Sequence, residues 1–305
     1  TWGFNNNGEL GINDRIHRSS PVQVGSLTSW VYCAASNTVR AFKSDGTKWA
    51  WGSNQFGFHG DNTTAFRSSP VQIGGTDWNY SKFTYDASNV GHIKSDGSLW
   101  IWGKGEAGQL GTNTGTGVGT FYVTSPNQVS GTWTDISINT NVAFGIKSDG
   151  TLWLWGKDSY GISGLNSSTT QYRSSPVQLG TDSNWAKISI QNGRVAHALK
   201  TDGTLWCWGF NNNGEVGNSS RVDISSPIQI GTNTDWYKIS PQYFGNGLFV
   251  SKTDGTLWSW GYNGIGILGL NTTTSRSSPT QVGAENTWNK ELSLGQYNRR
   301  ILLKT

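Results

Sequence analysis

Methionine is absent from this 305-residue chain, cysteine occurs only twice, histidine four times, and no more than 34% of positions are hydrophobic. Each shortage removes a class of protein. No stretch approaches the roughly 20 consecutive apolar residues of a membrane-spanning helix, so membrane insertion is not expected. Lys and Arg total 23 against 19 Asp and Glu, scattered without a run of like charge, and no nucleic-acid-binding tail is expected. Cys33 and Cys207 are too few and too far apart for a disulfide scaffold or a zinc site, and both are expected to be free, small and buried. His17, His59, His92 and His197 are the whole supply of imidazole. Neither a Gly-x-Ser-x-Gly elbow nor a His-Glu-x-x-His helix accompanies them, so no enzyme activity is expected. No signal peptide precedes Thr1, and because the chain opens in mid-motif an upstream segment is expected to have been lost.

What is present is glycine, at 41 copies, and tryptophan, at 17. A core built from so few apolar residues has to be dominated by indoles, each burying about 150–250 Å². The tryptophans are periodic. The second Trp of a W-x-W-G motif recurs at Trp51, Trp102, Trp155, Trp208 and Trp260, with Trp2 as half of a sixth copy, at intervals of 49, 51, 53, 53 and 52 residues. A period near fifty with several short strand signals per unit marks a propeller blade or a related array. Each unit also carries Pro-x-Gln, a single Trp (Trp30, Trp78, Trp133, Trp185, Trp236, Trp288) and a Lys-Ser/Thr element, usually completed by Asp-Gly.

From each of Lys43, Lys94, Lys147, Lys200 and Lys252 to the second Trp is always eight residues. This invariant piece reads as two strands joined at an Asp-Gly turn, both residues taking positive φ. Its two indoles, at i and i+2, share one face, while Leu152 and Leu154 point to the other. Both faces are apolar, as a sheet sandwiched between two neighbours requires. The expected fold is all-β: a six-bladed β-propeller of four-stranded antiparallel blades, forming one domain over residues 1–305. The chain stops at Lys304-Thr305 where an Asp-Gly-Thr-Leu-Trp element is next due, and Thr1-Trp2-Gly3 matches the segment that succeeds such an element in the other repeats. Pairing of N- and C-terminal strands is therefore expected to close the ring and to complete the sixth repeat.

W-x-W-G followed by Asn, Gly and Leu-Gly, as from Trp260 to Gly269, with Lys-Thr-Asp-Gly-Thr-Leu upstream, resembles the regulator of chromosome condensation repeat. The resemblance covers essentially the whole chain. It implies a propeller that works by binding, as in a chromatin-bound nucleotide exchange factor with seven blades or a secreted bacterial inhibitor of β-lactamase. The exchange factor uses a protruding β-wedge, and the largest insertion here, about five residues within Gly111–Ser125, is too short to be one. No functional residue of that factor is carried over. The Gly, Ser, Thr and Asn content and the near-identical Arg-Ser-Ser-Pro elements look more like bacterial or phage extracellular proteins than nuclear ones, which places the chain outside the cell, on a cell surface or on a virion.

Other motifs read as scaffold. Gly-x4-Gly-x2-Gly recurs in every repeat, but the residue after its second Gly is never the Lys of a phosphate-binding loop, so it is a turn. The Asp residues of the Asp-Gly turns are one per blade and do not assemble a calcium cage, and no cofactor is expected. His92 and His197 precede the lysines and read as structural. Asn-x-Ser/Thr triplets at Asn62, Asn79, Asn166, Asn218 and Asn271 read as chance products of Asn-rich turns, not glycan acceptors.

A binding surface is sought where one structural position varies from blade to blade. The single Trp and the Lys are separated by 13 to 16 residues, and this variable loop set is the first choice for contact with a protein partner, with the chain as one part of a larger assembly. Its candidate residues are Arg40, Tyr85, Asp86, Asn141, Arg194, Tyr243, Phe244, Tyr297, Arg299 and Arg300, because aromatics mixed with Arg and Asn carry binding energy at interfaces. The bland reading is that these aromatics plug the ring. The alternative function is regulation of a GTPase or a secreted enzyme by binding through one face.

Overall fold

A computed structural model describes residues 1–305 except 27, 36, 87, 114–120, 168, 242–246 and 289–305, together with the side chains of 79, 81 and 241. Among the described residues there is no helix, and 19 antiparallel strands follow the repeat. The first blade is β1 (Trp30–Ala35), β2 (Thr38–Lys43), β3 (Lys48–Gly52) and β4 (Arg67–Ile73). The second has β5 (Trp78–Tyr85), β6 (Asn89–Lys94), β7 (Ser98–Lys104) and the start of β8 (Tyr122–Ile138). The rest of β8 opens the third, with β9 (Val142–Lys147), β10 (Leu152–Asp158) and β11 (Gln171–Gln178). The fourth is β12 (Trp185–Gln191), β13 (Val195–Lys200), β14 (Leu205–Gly209) and β15 (Ile224–Gln229), and the fifth β16 (Trp236–Pro241), β17 (Gly247–Lys252), β18 (Leu257–Gly261) and β19 (Arg276–Gln281).

Each blade pairs in simple sequential order, but β8 runs unbroken from the second blade into the third, so these two form one seven-stranded sheet. The reason is linker length. Pro126 and Trp133 are closer in sequence than any other Pro–Trp pair of the repeat, which leaves no room for a chain break. Pro70, Pro126, Pro176, Pro227 and Pro279 all lie on outermost strands, where a missing N–H costs no ladder bond.

The Asp-Gly hairpin differs in detail from the expectation. Only its glycine takes positive φ (Gly46 at 79°, Gly203 at 79°), not the aspartate. The Gly46 N–H donates to the Lys43 carbonyl and the Lys43 N–H to the Thr47 carbonyl, a type I turn closed by a glycine bulge. The aspartate is thereby released for another task. Asp202 Oδ1 accepts from the Thr204 N–H at 3.0 Å and from Thr204 Oγ1 at 2.7 Å, and Thr204 Oγ1 accepts from Trp206 Nε1 at 2.9 Å. The same relay recurs from Asp45, Asp96, Asp149 and Asp254. The hydroxyl and amide donors hold all five carboxyls below the usual range. The motif lysine lies between two indoles, as Lys147 does at 3.5 Å from Trp153 and 5.3 Å from Trp133.

The apolar core is distributed between blades. Leu152 and Leu154 pack with Phe144 against Trp185, Ile188 and Trp208 of the fourth blade. Trp153 and Trp155, on the opposite face of the same strand, pack with Leu99, Ile101 and Trp133. Neighbouring blades touch through their first strands, and the Ile188 N–H donates to Asp135 Oδ2 at 2.9 Å, so the first strands are innermost. A second seam joins each blade to the next. Trp102 Nε1 donates to the Phe58 carbonyl at 3.0 Å, Trp155 Nε1 to Gln109 at 2.9 Å, Trp208 Nε1 to Ile162 at 2.7 Å and Trp260 Nε1 to Glu215 at 3.0 Å. Burying each such indole contributes on the order of 4–6 kcal/mol as an upper bound.

Of the sixth repeat the described residues include a half-blade. Thr1 and Val22 exchange hydrogen bonds and Gly3 bridges Arg18, the pairing that β3 and β4 make elsewhere. The terminal strand expected to complete it falls in residues 289–305, outside the described set. Cys33 is exposed, contrary to the expectation of burial, because among the described residues no strand of a preceding blade covers it, whereas the equivalent Ile136 and Ile188 pack against the blades before them; Cys207 is buried, and both cysteines are free. His92 and His197 are buried on β6 and β13.

Candidate functional site

In an antiparallel four-stranded blade the first-to-second and third-to-fourth connections leave from one end. The variable loops and the long glycine loops therefore share a face, and the Asp-Gly turns lie on the opposite one. The candidates on this loop face separate into two groups.

Arg40, Tyr85 and Asp86 come together between the first and second blades, but inside. Arg40 is buried with its guanidinium carbon 4.9 Å from the Tyr85 ring centroid. Asp86 is buried too, accepting from Thr140 Oγ1 at 2.7 Å and from the Ser88 N–H at 2.7 Å. Burial raises the Asp86 carboxyl, with the hydrogen bonds and the charge of Arg40 opposing it. Arg40 varies between blades because its position packs on the neighbouring blade, where Gly91, Phe144, His197 and Phe249 stand in the sister units. Variability there reports fit, not exposure.

Asn141 and Arg194 lie on the surface. The Arg194 guanidinium carbon is 5.3 Å from the Tyr160 centroid and 5.6 Å from that of Phe210, and those two rings meet edge-on at 5.4 Å. Tyr160 is 49% exposed. The Asn141 carbonyl accepts from the Lys157 N–H at 2.7 Å, and Lys157 Nζ lies 5.8 Å from the Tyr172 centroid. Two cations, each seated on an aromatic ring, thus stand on the loop face of the third and fourth blades. Among the described residues no carboxylate lies within ion-pair distance of either. Lys104, one blade earlier, is by contrast paired with Glu106 at 2.8 Å. Tyr243, Phe244, Tyr297, Arg299 and Arg300 lie outside the described residues.

Tyr160, Phe210, Lys157 and Tyr172 escape a search confined to the Trp-to-Lys loops. The signal was in the glycine loops, where the residue after W-x-W-G changes from Phe4 to Ser53, Lys104, Lys157, Phe210 and Tyr262. Lys48 was also missed. It is fully buried, 3.9 Å from the Trp102 centroid and 5.1 Å from that of Trp78, where the other four complete blades have Leu99, Leu152, Leu205 and Leu257. Burial and the nearby charge of Arg40 lower its pKa well below the ordinary lysine value. Burial likewise lowers His59 and His197 to about 4. Among the described residues no group of three or more His, Cys, Asp or Glu is placed to hold a metal ion, and no helix is long and apolar enough to cross a membrane.

The model of the Regulator of chromosome condensation (RCC1) repeat matches residues 1–39, 202–240 and 254–295. The chain is 26% identical to the ultraviolet-B receptor UVR8 of Arabidopsis thaliana over 203 residues, 65% of this chain and 44% of that protein. To the regulator of chromosome condensation of Xenopus laevis it is 28% identical over 151 residues, 48% of this chain and 33% of that protein. The chain thus spans less than half the length of these two relatives. Human WBSCR16 superposes with a TM-score of 0.74 at 17% identity, covering 92% of this chain and 75% of that one. Prp20p from Saccharomyces cerevisiae, whose crystal structure was described with its binding properties to Gsp1p and histones, gives 0.66 at 18%, covering 81% and 61%. These two likenesses identify a β-propeller fold.

Proposed function

We propose that the chain is a non-enzymatic binding module, a reading supported by its match to the regulator of chromosome condensation repeat over residues 1–39, 202–240 and 254–295. In this reading residues 1–305 form a single propeller of six repeats sealed by pairing of its terminal strands. It engages a protein partner through the loop face and acts on the surface of a bacterium or phage particle, as one part of a larger assembly. The observation that supports it is the exposed Arg194, held over Tyr160 and Phe210. A guanidinium anchored on two rings has lost much of its rotamer freedom before a partner arrives, and Arg and Tyr are the residue types that dominate interface energetics. With Lys157 beside it, the patch suits an acidic protein surface.

The experiment is affinity capture from the surface fraction of the source organism with the wild-type chain, Arg194→Glu and Tyr160→Ala. A partner retained by the wild type and reduced at least tenfold by Arg194→Glu, with circular dichroism unchanged, is the expected result. An identical set of proteins on all three, or none on any, would refute the reading. A second reading, regulation of a GTPase or secreted enzyme through the same face, is favoured by the likeness to Prp20p, whose described binding includes Gsp1p. Nucleotide-release assays on candidate GTPases and inhibition assays on secreted hydrolases test it; no effect in either removes it.

A further inference from the structure

The first strands of successive blades stand side by side and form one inner edge. Each begins at the Asp-Gly end of the molecule, because the N–H of its tryptophan donates to the turn glycine of the blade before: Trp78 to Gly46, Trp133 to Gly97, Trp185 to Gly150 and Trp236 to Gly203. Shortly after that tryptophan a side chain reaches across to the neighbouring blade. Asp135 does so when it accepts from the Ile188 N–H at 2.9 Å, and Tyr32 does so when its ring meets that of Phe83 at 6.4 Å. In register this position holds Tyr32, Lys82, Asp135, Lys187 and Lys238.

The second blade breaks the spacing. In the third blade Ile136, opposite Gly145, follows Trp133 by three residues, whereas its counterpart Phe83, opposite His92, follows Trp78 by five. The extra residues swell this innermost strand into a bulge, a device that re-aims a side chain. Here the side chain is Tyr80, whose ring lies 19° from parallel to that of Tyr32 with centroids 5.8 Å apart. The two rings are 49% and 40% exposed among the described residues. Phe42 at 6.0 Å and Phe83 at 6.4 Å back the Tyr32 ring, so the stacked pair is a supported platform with one face of Tyr80 turned outward. Positive charge stands beside it. Lys187, its side chain 62% exposed, lies 3.9 Å from Asp135 Oδ1. Burial raises the Asp135 carboxyl while the charges of Lys187 and Lys82 oppose it, so both ammonium groups are directed at one carboxylate. Two lysines to one carboxylate leave an excess of positive charge, and Asp135 is already held by the Ile188 N–H.

We propose that this inner edge, at the Asp-Gly end, is a binding site for a mononucleotide: the base stacks on the outward face of Tyr80, and Lys82 and Lys187 take the phosphate. An aromatic side chain accepts any base, because every base offers a π face. An ammonium is a compact point charge suited to phosphate. The ribose bridges the step from Tyr80 to Lys82 along the strand. Ring and charge come from the first, second and fourth blades, so the site is built from described strands and stands whether or not the terminal strands pair. It lies at the end opposite Arg194, separate from the surface assigned above to a protein partner.

Isothermal titration calorimetry of the full chain with AMP and with UMP tests this. Saturable binding of both is expected, weakening as salt is added. Adenosine and inorganic phosphate should each bind roughly tenfold more weakly or worse, since each makes only one of the two contacts. Tyr80→Ala should lower AMP affinity about tenfold, with Tyr80→Phe close to wild type. Lys187→Glu, a change on an exposed side chain that leaves the bulge untouched, should lower it as well and flatten its salt dependence. Circular dichroism checks each variant, and Lys187→Glu carries the test if Tyr80→Ala does not fold. No saturable binding of either nucleotide, phosphate alone binding as tightly as AMP, or full AMP affinity in folded Tyr80→Ala or Lys187→Glu overturns the proposal. Arg194→Glu should leave AMP binding unchanged, so the partner reading and this one fail separately.

Discussion

At the scale of single residues, the departures from the repeat are the informative positions. Lys48 replaces a leucine that four sister blades keep, and its ammonium is surrounded by indoles with no acceptor in hydrogen-bonding reach among the described residues. A buried charge of this kind costs several kcal/mol, only partly offset by the aromatic faces. Lys48→Leu is therefore expected to raise unfolding free energy in urea by roughly 1–3 kcal/mol. The sister sequences make this legible, since one polar residue in a column of leucines stands out. Its cage of rings does not, because Trp78 and Trp102 belong to the next blade. Arg40 teaches the converse: a variable, charged position in a predicted loop set turned out to be interior, since β2 is covered on both faces.

At the scale of the element, the hairpin between the second and third strands is the unit most fully readable from sequence. An invariant spacing with Asp-Gly at its turn identifies two strands and their register. The Asp–Thr–Trp relay needed coordinates, because which hydroxyl meets which indole is decided by the glycine bulge and not by spacing. Thr204→Val should leave Trp206 Nε1 without its acceptor and cost about 1–2 kcal/mol, measured by chemical denaturation. The same change should bring the Asp202 carboxyl back towards an ordinary value in an NMR titration, because the Thr204 hydroxyl is the largest cause of its lowering. The glycine loops show the limit of the repeat argument. Recurrence correctly identified them as turns, yet it hid that their non-glycine residues, Tyr160 and Phe210 among them, carry the exposed patch.

At the scale of the whole molecule, stability is shared among seams between blades, and buried titratable groups in those seams set its pH dependence. His59 and His197 have folded pKa values of about 4 against 6.5 when unfolded. The unfolded chain binds more protons between these limits, so the stability they allow is full above pH 6.5 and is lost as pH falls towards 4. Each contributes at most about 3 kcal/mol to that loss. Replacing them with residues that sister blades already use, His59→Leu after Leu10 and Leu110 and His197→Phe after Phe144 and Phe249, should flatten Tm between pH 6.5 and 4. An unchanged slope would show that other groups govern it. The amino-acid sequence by itself determined the strand class, the repeat, the order of elements within a blade and the alternation that makes both faces apolar, because these arise from local spacing and a period of two. Tertiary structure alone decided which polar side chains are sealed inside and which cations stand on exposed rings, because both depend on the blade next door, some fifty residues away along the chain.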